Sequence, residues 1–323
     1  MKRILAYRFS AFGDVAMAVP VCIELLEQNP DVEIIFVSRD NFRDLFDHHP
    51  RLKFHGVSFD DYKGIFGIRK LTRNLIKTYN PDFVGDLHEV IRTKMINSIF
   101  KRHGYKVFQI DKGKDEKERL TNVWNLNKFP LKRTVERYAD VFRKMGFGLE
   151  LSYKLRSQCS NKKDIGFAPF AQHTGKMMPV EKSFELARLL AQTNKVYFFG
   201  GGKEENDILK TWETQIPNTH SLAGKLTLKE ELQKIAELKV MISMDSANMH
   251  LASLMGTRCI SVWGSTHYYA GFLGYGQSET DIVEVKDLTC RPCSVFGDKE
   301  CFRGDYACLE ELDIQQVIDR LDL

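Results

Sequence analysis

The sequence has no long apolar run, little net charge and no segment that resembles a secretory signal. No apolar stretch approaches the ~20 residues that a membrane-spanning helix needs. The short apolar run near the start is interrupted by Arg8, which is unlike a signal peptide. A formal net charge of +4 is too small by itself to indicate nucleic-acid binding. These absences predict a cytoplasmic protein.

Structural disulfides are not expected either. The seven cysteines are an odd number and cannot all pair within one chain, and a reducing cytoplasm argues against disulfides. With 323 residues, 43% hydrophobic and 28% charged, the chain has the composition of an ordinary soluble protein. Because this length exceeds the usual size of a single hydrophobic core, we expect two domains.

Residues 240–267 carry the clearest pattern, which predicts a strand, a turn, a helix, a strand and a loop. Residues 240–243 and 258–263 are apolar runs of strand length, and the apolar residues between them recur at helical spacing. Such a βαβ unit binds its ligand at the carboxyl ends of the parallel strands, where a helix N-terminus attracts phosphate. Asp245 and Ser246 lie at that point. A plain helix cap at these two residues, with His250 on the helix surface, explains the local features as well.

This stretch resembles a motif of a known family. Met-Asp-Ser-x-x-Met-His-Leu-Ala, followed by Gly256 and an apolar strand ending in Trp-Gly-Ser-Thr, is similar to the donor-site motif of the ADP-heptose:lipopolysaccharide heptosyltransferases, glycosyltransferase family 9. Ala247 stands where a glycine is common in that motif, and Arg258 where a proline is common. The resemblance implies a set of donor-binding residues: Asp245, Ser246, Met249, His250 and Thr266.

The start of the chain carries a second motif of the same family. Residues 3–9 predict a strand, residues 10–13 a turn and residues 14–27 a helix. Residues 8–15, Arg-Phe-Ser-Ala-Phe-Gly-Asp-Val, followed by Pro20, resemble the family's first motif. The resemblance implies that Asp14 is the catalytic base, and Gly13 would let the backbone approach a ligand. From the residues alone, Asp14 is also a favourable carboxylate for a first helical turn.

The next candidates concern the acceptor. Residues 86–92, Asp-Leu-His-Glu-Val-Ile-Arg, resemble the family segment that faces the acceptor, so Ser10, His88 and Arg92 are predicted to bind it. A loop histidine is also commonly a surface residue. Residues 92–114 hold seven Lys or Arg residues against one acid, Asp111. These charges suit an anionic, membrane-held acceptor, although a solvated helix face explains them as well. Residues 111–122 predict a polar loop.

The second half repeats the pattern of strands that end in polar loops. A strand at residues 164–169 leads to Lys176, which resembles the family's lysine that contacts the sugar nucleotide. A mobile cation suits a diphosphate leaving group, although Lys176 could equally face solvent. A strand at residues 195–199 ends in three glycines, which are not a GxGxxG fingerprint. The resemblance implies that one of the two glutamates after them hydrogen-bonds the donor ribose, although complementarity to the helix dipole explains these carboxylates equally well. The further donor-binding candidates are Thr174, Gly201, Glu204 and Glu205.

The last part of the chain contains four cysteines whose spacing fits a four-thiolate zinc site. They are Cys290, Cys293, Cys301 and Cys308. Thiols packed in a loop explain the same pattern, and the resembled family's chemistry is not regarded as zinc-dependent. We therefore predict no metal, with a structural zinc as the less favoured interpretation.

The resemblance implies an α/β protein of GT-B architecture, with two Rossmann-like domains facing a central cleft. Residues 1–155 would bind the acceptor, residues 156–312 the nucleotide sugar, and residues 313–323 would form a helix that crosses back to the first domain. The implied reaction is an inverting transfer of heptose from ADP-heptose to a lipopolysaccharide core or lipid-A-linked acceptor, with Asp14 as base, Lys176 stabilising the diphosphate, and no cofactor.

Expected partners are the nucleotide sugar, an anionic glycolipid acceptor and the inner face of the cell membrane, but not nucleic acid. Because a fold does not fix a function, two alternatives stay open. One is a transferase or epimerase for another nucleotide sugar, and the other is a non-catalytic nucleotide-binding protein.

Overall fold

The computed structural model describes residues 1–321, which form two compact units. The first unit comprises Met1–Lys112 and Thr134–Ser152, and the second comprises Gly113–Arg133 and the chain from Tyr153 onward. The third crossing, between Ser152 and Tyr153, lies close to the boundary expected at residue 155. Gly113–Arg133, which we expected in the first domain, belongs to the second unit.

The first unit is built on a five-stranded parallel sheet. Its strands are β1 (Lys2–Tyr7), β2 (Val32–Arg39), β3 (Leu52–Val57), β4 (Phe83–Asp86) and β5 (Val107–Gln109), in the order β3-β2-β1-β4-β5. The helices that precede the first crossing are α1 (Phe12–Gln28), α2 (Gly64–Tyr79) and α3 (Ile91–Arg102). After α4 (Lys114–Leu120), which lies in the second unit, the chain returns to the first unit with α5 (Thr134–Lys144).

Burial explains why β1 is the central strand. Its residues Ile4 to Tyr7 are all inaccessible to solvent, as expected for a parallel strand covered by helices on both faces. Strand order reverses on either side of β1, since β2 and β3 lie on one side and β4 and β5 on the other. The carboxyl ends of β1 and β4 therefore meet at a topological switch point, where open α/β sheets bind ligands.

The second unit repeats this plan with six parallel strands. They are β6 (Lys163–Ala168), β7 (Val196–Phe198), β8 (Thr219–Ser221), β9 (Leu238–Met244), β10 (Arg258–Trp263) and β11 (Ile282–Glu284), in the order β11-β10-β9-β6-β7-β8. Its helices are α6 (Val180–Leu190), α7 (Lys203–Gln215), α8 (Leu228–Glu237), α9 (Ala247–Leu254), α10 (Ala307–Glu310) and α11 (Gln315–Asp319). Its switch point lies between β6 and β9.

These two sheets confirm the predicted fold class, α/β with two Rossmann-like domains. One local prediction is wrong, because residues 114–120 form α4 within the segment expected to be a polar loop. The predicted C-terminal helix is short, and Val317 in it is fully buried in the core of the second unit. Residues 322 and 323 of that predicted segment lie outside the described residues. Within residues 1–321, no helix has the length and apolar character needed to cross a membrane.

Candidate active site

Three predicted side chains meet at the switch point of the second unit. Lys176 ends a short 3₁₀ turn after β6, Asp245 follows β9 and Thr266 follows β10. The Lys176 Nζ atom lies 2.9 Å from Asp245 Oδ2, and the Thr266 hydroxyl donates to the same oxygen over 2.8 Å. The Asp245 side chain is 5% exposed. Asp245 therefore holds a cation and a hydroxyl in place at the edge of the sheet where a ligand is expected.

The N-terminus of α9 lies beside this cluster, because the helix begins two residues after Asp245. Ser246 occupies the cap position, but within the described chain no side chain caps α9. The Ser246 hydroxyl instead lies 3.1 Å from the Ser243 hydroxyl. The alternative that Asp245 and Ser246 form a plain cap is wrong. The surface position for His250 is also wrong, because His250 is 6% exposed. Met249 is fully buried.

Gly175 brings the loop after β6 into close contact with the loop after β10. Its carbonyl accepts a hydrogen bond from the Ser265 amide over 2.8 Å. A Cβ at Gly175 would lie 2.4 Å from the Ser265 hydroxyl, so no larger residue fits there without displacement. The Ser265 hydroxyl is buried and has no hydrogen-bond partner among residues 1–321. This unsatisfied hydroxyl lies at the edge of the sheet where a ligand is expected.

Arg291 anchors the loop that carries Ser265 and Thr266. This guanidinium is 7% exposed and donates to four backbone carbonyls, those of Gly264 (2.5 Å), Trp263 (3.0 Å), Thr266 (3.2 Å) and Val285 (2.7 Å). It also forms an ion pair with Glu284 over 3.1 Å. A planar fork of five N–H donors suits this task, which lysine could not perform. Arg291 therefore positions the polar end of β10.

The glycine-rich loop after β7 is open at Gly201, where a Cβ would meet nothing within 4 Å. The Gly201 amide donates to Glu205 Oε2 over 2.8 Å, so the Glu205 carboxylate stabilises its own loop. Burial raises the pKa of Glu205, and the Gly201 amide opposes that shift. Glu204 and Thr174 are exposed. Of the two glutamates, Glu204 therefore has the freer carboxylate for a ribose.

The first unit has its own cluster at the switch point between β1 and β4. Asp14 lies in the first turn of α1 and its side chain is 21% exposed. The Arg8 guanidinium lies 2.9 Å from Asp14 Oδ2, the Ala11 amide donates to the same carboxylate oxygen over 3.2 Å, and the Tyr138 hydroxyl donates to the Asp14 carbonyl over 3.3 Å. Gly13 precedes Asp14 at the start of the helix. This carboxylate is therefore held in a fixed orientation beside a buried cation.

His88 lies next to this carboxylate and is 7% exposed, so it is not a surface loop residue. The Phe9 amide points at Nδ1 over 3.5 Å, and Nε2 lies 3.2 Å from the Ser10 hydroxyl. Since Nδ1 faces a donor, the neutral tautomer that carries its proton on Nε2 fits best. Burial, together with the nearby cations Arg8 and Lys112, lowers the pKa of His88 to about 4.

Asp86 organises the loop in which His88 lies. Its carboxylate accepts from the amides of His88 and Glu89 over 2.9 and 2.8 Å and from the Asn97 side chain over 2.8 Å. Arg8 also donates to the carbonyl of Leu87 over 2.6 Å. Arg92 lies outside this network, because it is exposed with its guanidinium 3.9 Å from the centre of the Phe59 ring. The structure thus brings Ser10, Asp14 and His88 to one edge of the sheet.

The four cysteines of the last segment are free thiols. Within residues 1–321 no group of three or more His, Cys, Asp or Glu side chains is placed to hold a metal ion. Burial raises the pKa of Cys308 to about 12, which favours the neutral thiol. Cys293 has a backbone role, because its amide donates to the Ser265 carbonyl over 3.0 Å. The absence of a metal and the less favoured structural zinc therefore both stay predictions.

Two arginines that organise the site were not predicted. Arg8 belongs to the first motif, but the motif predicts no role for it. Its nearly complete burial after a buried strand is the feature that marks it. Arg291 lies between Cys290 and Cys293, and the cysteine spacing indicates metal ligation but no role for the arginine. Neither role has a sequence signal, because both depend on carbonyls from distant segments.

Comparisons with known proteins identify the family of the chain. A model of glycosyltransferase family 9 (heptosyltransferase) matches residues 74–301. A lipooligosaccharide heptosyltransferase 2 of Campylobacter jejuni is 24% identical, with 95% of this chain and 93% of that protein covered.

Two solved structures show the same fold. A family 9 glycosyltransferase from Veillonella parvula superposes with a TM-score of 0.73 and 17% identity, with 99% of this chain and 96% of that chain covered. E. coli heptosyltransferase WaaC with ADP-2-deoxy-2-fluoro heptose gives a TM-score of 0.70 and 17% identity, with 99% of each chain covered. At these identities the likeness shows the fold, and it confirms the predicted GT-B class.

Proposed function

Because the chain belongs to glycosyltransferase family 9, the heptosyltransferases, we propose that it transfers heptose from ADP-heptose to a lipopolysaccharide core or lipid-A-linked acceptor. Its class as a glycosyltransferase follows from the family. The donor and acceptor are proposals that draw support from the names of its relatives, a lipooligosaccharide heptosyltransferase and an enzyme studied with an ADP-heptose analogue.

The cluster of Lys176, Asp245 and Thr266 at the switch point of the second unit carries this proposal. A Rossmann-like sheet binds nucleotides at this edge, and a diphosphate needs cations, hydroxyls and helix amides. We propose that Lys176, the N-terminus of α9 and the Thr266 hydroxyl contact the diphosphate, with Ser265 beside them. Asp245 then acts as a positioning residue, because its side chain holds Lys176 and Thr266 and would repel an anion directly.

The remaining donor contacts follow from the same edge. Gly201 leaves room for the nucleoside, and Glu204 has an exposed carboxylate that suits a ribose diol. Glu205 would support this loop through the Gly201 amide. Met249 and His250 are buried residues of α9 and would shape the floor of the site.

In the proposed reaction, Asp14 takes the proton from the acceptor hydroxyl while the acceptor oxygen attacks the anomeric carbon. The bond from that carbon to the diphosphate breaks, ADP leaves with the electron pair, and the anomeric configuration inverts. A free aspartate has a pKa of about 3.9, far below that of a sugar hydroxyl, so the proton must move as the new bond forms. Lys176 stabilises the charge that grows on the departing ADP.

We propose that the acceptor binds at the edge of the first unit that carries Ser10 and His88. Ser10 and neutral His88 offer hydrogen bonds to sugar hydroxyls. Arg92 is exposed on α3 and is suited to an anionic group of a glycolipid. This acceptor would be met in the cytoplasm at the inner face of the membrane. Since protein groups supply the positive charge at the diphosphate, the proposed reaction requires neither a metal nor a cofactor.

A donor screen tests the proposal. The protein is incubated with ADP-heptose, a UDP-sugar or a GDP-sugar, each with and without a heptose-deficient lipooligosaccharide, in the presence of EDTA. We expect nucleoside diphosphate release that requires both ADP-heptose and the acceptor and that persists with EDTA. Release from a UDP- or GDP-sugar would favour another transferase or an epimerase. Tight ADP binding without release from any donor would favour a non-catalytic nucleotide-binding protein.

A further inference from the structure

The helices α2 and α3 lie side by side in the first unit and are unusually cationic. Together they contain eight Lys or Arg residues and no Asp or Glu. All but Arg69 are exposed. The whole chain has a net charge of only +4, so this pair of helices concentrates positive charge on the surface that it forms. The cations are Arg69, Lys70, Arg73 and Lys77 on α2 and Arg92, Lys94, Lys101 and Arg102 on α3.

The same face also exposes large apolar side chains. Ile91 is 83% exposed, Phe66 77% and Ile65 49%. Ile65 and Ile91 line one groove of about 310 Å³ between the two helices, together with Met95 and Ile99. Arg69, Lys94 and Arg102 line the same groove. Exposed apolar side chains ringed by cations are typical of a surface that meets the headgroup region of a membrane.

The exposed apolar side chains lie at the same edge of the first sheet as Asp14 and His88. Helix α2 follows β3 and helix α3 follows β4, so both helices begin at the carboxyl edge of the parallel sheet. Ile65, Phe66 and Ile91 lie in the first turns of these helices. Asp14 and His88 lie at the same edge. A surface bound through the beginnings of α2 and α3 would therefore be close to the residues proposed to bind the acceptor.

We propose that the α2–α3 face, defined by residues 64–79 and 91–102, docks on an anionic phospholipid bilayer. The cations would contact lipid headgroups, while Phe66, Ile65 and Ile91 would enter the interface between headgroups and acyl chains. Two of the three exposed apolar side chains, Ile65 and Ile91, favour a bilayer over a nucleic acid, because isoleucine has no ring to stack on a base. Only the use of this surface rests on the proposed function, since docking would bring the enzyme to a lipid-linked acceptor.

Vesicle flotation tests this surface directly. The full chain is mixed with vesicles of phosphatidylcholine alone or of phosphatidylcholine and phosphatidylglycerol at about 7:3, a composition anionic enough to attract cationic segments. We expect binding to the anionic vesicles that weakens as salt is raised, because salt screens exposed charges. Absence of binding to anionic vesicles, or equal binding to neutral ones, would overturn the proposal.

Two variants locate the binding surface. Arg69→Gln/Lys94→Gln/Arg102→Gln removes three groove cations, and Phe66→Ser/Ile91→Ser removes the apolar contacts. Since each cation near an anionic surface contributes about fivefold in affinity, we expect the triple variant to bind at least about tenfold more weakly. The matched controls lie on exposed positions of the second unit, Lys210→Gln/Lys229→Gln/Lys239→Gln and Val180→Ser/Phe302→Ser. Controls that lose binding as strongly as the α2–α3 variants would contradict the assigned surface.

Two further measurements separate the possible failures. Binding to duplex DNA that depends on the three cations but not on Phe66 and Ile91 would assign the face to nucleic acid and overturn the lipid proposal. With a water-soluble acceptor fragment, the double variant Phe66→Ser/Ile91→Ser should keep its transfer rate, whereas transfer to acceptor in vesicles should fall. If the wild-type protein bound the anionic vesicles but transferred no heptose to any acceptor, the proposed function would be rejected and the docking surface would stand.

Discussion

At the residue scale, each proposed reactive group already has a partner of opposite charge. Asp14 is paired with Arg8, and Lys176 is paired with Asp245. Both pairs include a largely buried side chain, so removing one member leaves a charge with little solvent around it. For substitutions at these positions, ADP affinity and transfer rate must therefore be measured separately, together with the free energy of unfolding.

Asp14→Asn tests the proposed base. The amide keeps the size of the carboxylate and can still accept from the Ala11 amide, but it cannot take a proton. We expect transfer to fall below detection while ADP binding, measured by calorimetry, stays within about threefold. Asp31→Asn, at an exposed position beyond the other end of α1, should behave as wild type. If Asp14→Asn lost ADP binding together with activity, the assignment as base would be wrong.

Lys176→Ala tests charge stabilisation at the leaving group. We expect kcat to fall roughly 100-fold or more, as for loss of a group that contacts developing negative charge. Asp245, which is buried, would then be left unpaired and would repel ADP. The double variant Lys176→Ala/Asp245→Asn should therefore recover part of the ADP affinity without recovering kcat. Unchanged kcat and ADP binding in Lys176→Ala, compared with exposed Lys239→Ala, would remove this role.

The pKa of about 4 for His88 predicts a pH dependence of stability. An unfolded histidine titrates near 6.5, so between about pH 6.5 and 4 the unfolded chain binds the extra proton and the folded chain does not. The free energy of unfolding should therefore fall as the pH drops through this window. We expect His88 to account for roughly 2 kcal/mol of that fall, after allowance for solvent screening.

Urea unfolding at pH 7 and pH 5 measures this contribution. His88→Gln should lose less stability between the two pH values than the wild-type protein, because it removes the group that takes up the proton on unfolding. His103→Gln, at an exposed position, should follow the wild type. Equal losses in wild type and His88→Gln would show that His88 is not held neutral by its surroundings.

At the scale of elements, the loop after β10 depends on a segment nearly thirty residues further along the chain. Arg291→Met keeps much of the side-chain volume but leaves four carbonyls without their donor. We expect a loss of about 2–3 kcal/mol in stability and roughly tenfold weaker ADP binding, with a smaller effect on kcat. Arg303→Met, an exposed arginine of the same segment, is the matched control. Unchanged ADP affinity in Arg291→Met would contradict its role in positioning Thr266.

The success of element prediction depended on how completely each element is buried. Strand β10 was predicted with the bounds observed, since its apolar and β-branched residues form a run of strand length. Strands β3 and β11 went unpredicted because Lys53, His55 and Gly56 interrupt the apolar residues of one and the other has three residues. Helix α4 was missed because Leu120 is its one buried residue, which leaves no apolar stripe to detect.

At the scale of the whole molecule, the two units follow one plan, and each carries a polar cluster at its switch point. The sequence predicted which strand ends would bear these clusters, because Asp14, Lys176 and Asp245 each follow an apolar run. It could not show that Asp245 binds Lys176 instead of capping α9, or that His88 is buried. Those facts depend on contacts between segments up to about eighty residues apart, which no local pattern encodes.

The central claim is an inverting transfer of heptose, and the product itself tests it most directly. Wild-type protein is incubated with ADP-heptose and a heptose-deficient acceptor, and the product is analysed by mass spectrometry and by NMR of the new anomeric centre. The account predicts an acceptor that has gained one heptose, linked with the configuration opposite to that of the donor. An unmodified acceptor accompanied by free ADP, or a product with retained configuration, would contradict it.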